Sequence, residues 1–282
     1  MNLVDCHTHT QYSVDSDADI NLLLEHACEL NLAAYAITDH CECNRWYAGE
    51  HYTNVNTYRY FDFGKDFENS VSAVTKLKGK YEGKLNLICG VEMGQATQDF
   101  DIARKIVTDK RLDFVIGSIH QVTDTEDFAF IDYNSMDLNG LYKLAETYLI
   151  EINKLCKWGE FDILGHLTYF LRYFHRHLGT EFDISCFDEI IEDSFRELVI
   201  KGKGIEINTS GLRNPTHKET YPSFKYVKMF RELGGEIISI GSDSHTVEDL
   251  GVGVDEGIKL AKEAGFNYIS YFKERIPNFI KI

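Results

Sequence analysis

Apolar residues in this chain fall into short dense runs, and nearly every run is followed by a longer stretch in which they recur every three or four positions. The dense runs are bounded by glycine or polar residues and are rich in β-branched side chains. They predict strands at about 3–8, 33–38, 85–91, 112–118, 161–165, 204–208 and 236–241. The longer stretches predict helices near 20–30, 65–81, 97–109, 138–157, 185–201, 222–233 and 255–264. Gly202, Gly234 and Gly265 stand where a left-handed residue ends a helix, and acids precede the first helix, where they suit its dipole. Two intervals rich in Tyr, Phe and Asp, 41–64 and 120–138, interrupt the rhythm.

Repeated strand–helix units over this length build a closed barrel or an open doubly wound sheet. No glycine-rich phosphate loop follows the first strand, and residues suited to chemistry stand at the ends of many strands, which favours the barrel. The expected fold class is α/β, a distorted (β/α)7 TIM-like barrel forming a single domain over residues 1–282. Both interruptions then lie at the carboxyl end of the strands and roof a site there.

Composition narrows the picture. With 44% hydrophobic and 26% charged residues the chain can bury a sizeable core. The formal net charge of −16 argues against nucleic acid as a partner, since the field of the whole molecule repels a polyanion. The first residues lack a basic stretch followed by an apolar one, and no run approaches a membrane span, so no membrane partner is expected. Seven scattered cysteines do not resemble a secreted disulfide framework and fit a reducing cytoplasm. No obligate protein partner is evident.

The chemistry sits at the strand ends. The first strand closes on Asp5-Cys6-His7-Thr8-His9, whose alternation sends both imidazoles to one side. Later strands close on Thr38-Asp39-His40, Gly90-Val91-Glu92, Gly117-Ser118-Ile119-His120, Gly165-His166 and Gly241-Ser242-Asp243-Ser244-His245. In a barrel these ends meet at one mouth. Buried imidazoles and carboxylates are costly alone but satisfy one another around divalent cations. Imidazole with carboxylate suits Zn, Mn or Fe, and the surplus of donors points to more than one ion. Paired metals are the usual means of in-line attack on phosphorus, which makes phosphoester hydrolysis the natural reaction.

Taken in order, these motifs resemble those of the PHP (polymerase and histidinol phosphatase) superfamily and span residues 5 to 245. The resemblance implies a distorted barrel with three divalent metals at its mouth. One would be held by His7, His9, Glu92 and Asp243, with Glu92 bridging to a second on His120 and His166. The third would take Asp15, His40 and His245, with Asp17 as the alternative to Asp15. Glu92 and Asp243 are thereby implied in catalysis.

The stretch Glu206-Ile207-Asn208-Thr209-Ser210-Gly211-Leu212-Arg213 is similar to the sixth-strand segment of the histidinol phosphatases. That branch implies hydrolysis of L-histidinol phosphate, a small phosphomonoester, to L-histidinol and phosphate in histidine biosynthesis. Arg213 is the expected phosphate-binding and catalytic cation, because a guanidinium can grip a phosphate through two parallel hydrogen bonds. Arg172 and Arg176, on one face of a helical stretch, offer a second clamp, Arg172 ahead of Arg176. Glu42 is expected near the substrate, to hold its amino or imidazole group or to protonate the leaving alkoxide. Its neighbours Cys41 and Cys43 are too few for a thiolate site, and His175 and His177 point apart on a helix. The rival readings are a phosphodiesterase or exonuclease of the same superfamily and, from another class, a noncatalytic metal-binding protein.

Overall fold

The structure, a computed structural model, describes residues 3–45, 62–215 and 217–282. In chain order its first half comprises β1 (Val4–Asp5), α1 (Ile20–Glu29), β2 (Ala34–Ile37), β3 (His40–Glu42), α2 (Phe63–Tyr81), β4 (Asn86–Gly94), α3 (Phe100–Val107) and β5 (Phe114–Ser118). There follow α4 (Leu138–Trp158), β6 (Ile163–Leu164), α5 (Leu171–Leu178), α6 (Asp188–Ile200), β7 (Gly204–Asn208), α7 (Phe224–Glu232), β8 (Ile238–Gly241) and α8 (Val254–Glu263). A hairpin of β9 (Tyr268–Lys273) and β10 (Ile276–Lys281) comes last.

Strands β1 to β8 pair in parallel in the order β1-β2-β4-β5-β6-β7-β8, with β3 also on β4. The two ends of that order join: Cys6 N–H donates to Ile240 O at 2.9 Å, Asp243 N–H to His7 O at 2.8 Å and His9 N–H to Ser244 O at 2.9 Å. The sheet is thus a ring of seven staves, as the sequence pattern predicts, because β2 and β3 are one stave broken at Thr38 and Asp39. The break has a cause in Asp39. Its buried carboxylate takes the Thr10 N–H at 2.6 Å and the hydroxyls of Thr10, Ser13 and Ser70, so the segment after β1 is tied to the second stave. Asp5 does the same at the seam, accepting from Ser242 N–H (2.9 Å), Ser242 Oγ (2.6 Å) and Gly251 N–H (2.9 Å).

The helices form the outer layer and bury one continuous apolar core against the strands. Many of the surplus acids start helices. Asp19, Asp62, Asp99 and Asp137 each accept from backbone N–H groups of the first turn, contacts worth about 1 kcal/mol apiece. Gly202, Gly234 and Gly265 have φ of 63°, 98° and 97°, as expected of helix ends. Among the described residues no helix is long and apolar enough to cross a membrane.

The β9–β10 hairpin does not follow from the sequence pattern. Its two-residue turn is Glu274-Arg275, both at positive φ (52° and 65°), where Asn-Gly would have announced it. The turn is held against the amino end of the barrel: Arg275 N–H donates to Asp113 O (2.8 Å), its guanidinium to Asp162 Oδ2 and Val107 O, and Glu274 N–H to Asp113 Oδ1 (3.1 Å). This end carries no candidate ligand.

Candidate metal centre

At the opposite end the nine expected metal ligands arrive in one cluster with Glu42 and Arg172, whereas Arg213, Arg176 and Asp17 do not join it. Glu92 is its middle. The carboxylate is fully buried on β4, with Oε2 at 3.1 Å from His7 Nε2, 3.5 Å from His9 Nε2 and 3.0 Å from His40 Nδ1. Its Oε1 lies 2.9 Å from His120 Nε2 and 2.7 Å from His166 Nε2. Asp243 Oδ1 adds contacts of 3.3 Å to His9 Nε2 and 3.8 Å to His7 Nε2. Asp15 spans His40 Nε2 (3.5 Å) and His245 Nε2 (3.2 Å), whereas Asp17 points to solvent.

His7 Nε2, His9 Nε2, His40 Nδ1 and Glu92 Oε2 are buried, face this common space and have no well-formed hydrogen bond. Orphaned polar atoms at such density are expensive unless a cation takes them. Donors close enough to share an ion fall into overlapping groups: His7, His9 and Asp243; His7, Glu92 and His166; His40, Glu92 and His120; His9, His40 and His245. Nitrogen and carboxylate donors without thiolate are the set for divalent metal ions, which this centre therefore fits. Cys41 and Cys43 take no part: both are buried among apolar neighbours, and burial holds their thiols well above the usual range.

The electrostatics point the same way. Burial opposes charge on every member. Even so, the Glu206, Glu92 and Asp243 carboxylates hold His7 well above the imidazole range, Asp15 and Glu92 do the same for His40, and Glu92 with Glu42 lifts His120 to about 10. The imidazoles in turn keep Glu92 and Asp243 ionised, well below the carboxylate range. His9 goes the other way, lowered by burial and by His245 and His40 beside it. The carboxylates thus make this cavity attractive to positive charge.

Two supporting carboxylates set ring orientation. Glu206, inward on β7, accepts His7 Nδ1–H at 2.7 Å and His166 N–H at 2.9 Å; it escaped the sequence reading although the stretch containing it was recognised. Glu42 is buried, with Oε1 3.0 Å from His120 Nδ1 and 3.7 Å from His40 Nδ1. A ligating histidine ordinarily gives its other N–H to such a partner. Gly94 must be glycine for this, since a Cβ there would stand 2.0 Å from Glu42 Oε2. Glu206→Gln is expected to lower metal affinity by about 10- to 100-fold while leaving secondary structure intact, as read by metal titration and circular dichroism; undiminished affinity would remove Glu206 from the centre.

Arg172, on α5, enters the rim. Its NH2 donates to Asp243 Oδ2 at 3.0 Å and Ser210 Oγ at 2.6 Å, and the guanidinium lies over the rings of Tyr169 and Tyr221. Arg176, one turn on, is exposed over Tyr173 and does not line the mouth. The expectation for it is corrected: an i, i+4 pair shares a face, yet one turn carries Arg176 past the rim. Arg213 also stands behind the mouth, its NH1 on Ser242 O (2.8 Å) and NH2 on Asp243 O (3.1 Å). It braces Asp243, a non-glycine residue at φ 53°, a conformation that needs such support. His175 packs on His217, 4.1 Å between ring centroids, away from the cluster, and His177 is exposed. Of the roofing intervals, 46–61 lies outside the described residues, and 120–138 brings Asp127 and Ala129 to the mouth.

A family model described as PHP domain matches residues 5–210. The chain is 26% identical over 278 residues to a probable histidinol-phosphatase of Clostridium acetobutylicum, covering 98% of each. It is 24% identical over 274 residues to a histidinol-phosphatase of Lactococcus lactis, covering 96% of this chain and 95% of the relative. Its fold matches the crystal structure of a Lactococcus lactis histidinol phosphate phosphatase complexed with zinc, L-histidinol and phosphate, with a TM-score of 0.79 at 22% identity over 98% of this chain and 99% of that one.

Proposed function

The chain belongs to the PHP domain family, and from that premise we propose that it is a divalent-metal phosphomonoesterase hydrolysing L-histidinol phosphate to L-histidinol and phosphate, in the cytoplasm, as a step of histidine biosynthesis. The observation that carries this reading is Glu92, a buried carboxylate whose two oxygens face two separate sets of imidazoles beneath a guanidinium. The full-length similarity to histidinol-phosphatases supports the substrate.

We assign His7, His9, Glu92 and Asp243 to one metal, His120, His166 and Glu92 to a second, and Asp15, His40 and His245 to a third. Bound there, such ions act as Lewis acids and generate a nucleophile from water at neutral pH. The residues do the rest. Glu206 and Glu42 fix the rings of His7 and His120. Arg172, stacked between two tyrosines, offers N–H groups to the phosphate oxygens as charge builds on them in the transition state. Arg213, with NH1 and NH2 on the Ser242 and Asp243 carbonyls and Nε 3.6 Å from Asp249 Oδ1, holds the Asp243 turn. Tyr169, buried at the rim, helps exclude water.

The test is phosphate release from L-histidinol phosphate by metal-replete protein, beside a nucleotide monophosphate and a generic phosphodiester. Selective hydrolysis of L-histidinol phosphate is the expected result, and preference for the diester would move the chain to the nuclease reading. Arg172→Ala is expected to cut kcat/KM by roughly 10²–10³-fold, as loss of one transition-state donor does, with metal content retained. Lost metal in that variant would instead make Arg172 a support for Asp243.

A further inference from the structure

One charged side chain at the mouth is used by nothing described so far. Asp127 lies in the loop between β5 and α4, is 8% exposed, and lines the same cavity as His120, Tyr169, Tyr173 and Arg172. Its backbone is fixed: it bridges to Gln121, and the following Phe128 N–H donates to His120 O at 3.0 Å. Its Oδ1 accepts the Ala129 N–H at 2.8 Å. Among the described residues no lysine, arginine or histidine makes an ion pair with it: His120 is paired with Glu42 and Glu92, and Arg172 with Asp243.

A nearly buried carboxylate without an ion-pair partner is unusual, because one backbone hydrogen bond offsets only part of its desolvation. The surrounding walls are aromatic. Tyr169 and Tyr173 share a hydroxyl–hydroxyl hydrogen bond of 2.7 Å, and the Phe128 ring lies near parallel to Tyr173. Aromatic faces and a carboxylate together favour a positively charged group. The mouth is thereby polarised, with the Arg172 guanidinium beside Asp243 and the Asp127 carboxylate on the His120 loop.

We propose that Asp127 is a specificity residue that receives a cationic nitrogen, ammonium or imidazolium, on the alcohol portion of the substrate, so that the site selects phosphomonoesters with a positive charge at the end away from phosphorus. This rests on the phosphomonoesterase reading above and adds the group that distinguishes among monoesters. Arg172 takes the anionic end and Asp127 the cationic end, which fixes substrate direction over the metals.

Asp127→Asn keeps the oxygen that accepts from Ala129 and removes only the charge. Steady-state kinetics of wild type and variant would be compared on L-histidinol phosphate, phosphoethanolamine and p-nitrophenyl phosphate, with metal content and thermal midpoint as controls. The expected result is a fall of about 10- to 100-fold in kcat/KM for the two cationic substrates, carried by KM, the scale of one charge-assisted hydrogen bond. On p-nitrophenyl phosphate the two proteins should agree within about twofold. An equal loss on all three substrates would assign Asp127 to the chemistry or the fold and overturn the inference, as would no loss on any. A wild type that favours phosphoethanolamine over p-nitrophenyl phosphate, loses that preference in Asp127→Asn and yet ignores L-histidinol phosphate would uphold the charge selection and sink the histidinol assignment alone.

Discussion

Glu92→Ala is expected to lose bound metal and turnover together, with activity falling by more than the roughly 10²–10³-fold that a single transition-state donor costs. The reason is positional. One oxygen of this carboxylate faces His7, His9 and His40 and the other faces His120 and His166, so its removal withdraws a donor from two proposed metals at once. It also leaves a fully buried cluster of imidazoles without its central counter-charge. His7, His40 and His120 are all held up by Glu92 among other carboxylates, and without it burial drives them toward the neutral form. Glu92→Gln separates the effects, since it keeps volume and one oxygen but not the charge. Elemental analysis beside phosphate release is the measurement, and full metal occupancy with retained activity in Glu92→Ala would defeat the assignment.

The second large effect is on stability, at the other end of the barrel. Arg275→Ala is expected to destabilise the fold by about 3 kcal/mol, because it takes the ion-pair partner from a buried carboxylate. Asp162 is that carboxylate; it is 3% exposed, and without the guanidinium it keeps the Val115 N–H at 2.8 Å. The hydrogen bond to Val107 O goes too. For a chain of this size the thermal midpoint should drop by roughly 5–10 °C. Metal content and kcat well below that midpoint should be unchanged, because the metal-binding end is formed by the opposite ends of the same strands. A variant that melts like wild type would show that the hairpin turn is not a latch.

The ring of staves and its mouth were legible in the sequence because each strand carries its own signal, a short apolar run ending on a ligand type. Nine ligand candidates, from His7 to His245, could be placed from strand ends and resemblance, and all nine converge. What escaped was set by contacts between distant segments. Glu206 looks like any alternating strand residue until β7 turns it toward His7, and Asp127 like any loop acid until Gln121 pairs with it. The hairpin turn hid because Glu274 and Arg275 are poor indicators of positive φ, and tertiary hydrogen bonds to Asp113 and Asp162 hold them there instead. Arg176 was misplaced because helical spacing gives a face but not how far along it the rim lies.

Closure of the ring between β1 and β8 also has a consequence in time. Cys6 waits for the Ile240 carbonyl, about 230 residues later, which at roughly 5–20 residues per second of synthesis is on the order of 10–50 s. Through that interval β1 has an unpaired edge, the kind of surface on which half-made chains associate. His7 and His9 are then already made but lack Asp243 and His245. An ion captured early meets only part of its final shell, so the ribosome's schedule places completion of the centre after nearly every other step of folding.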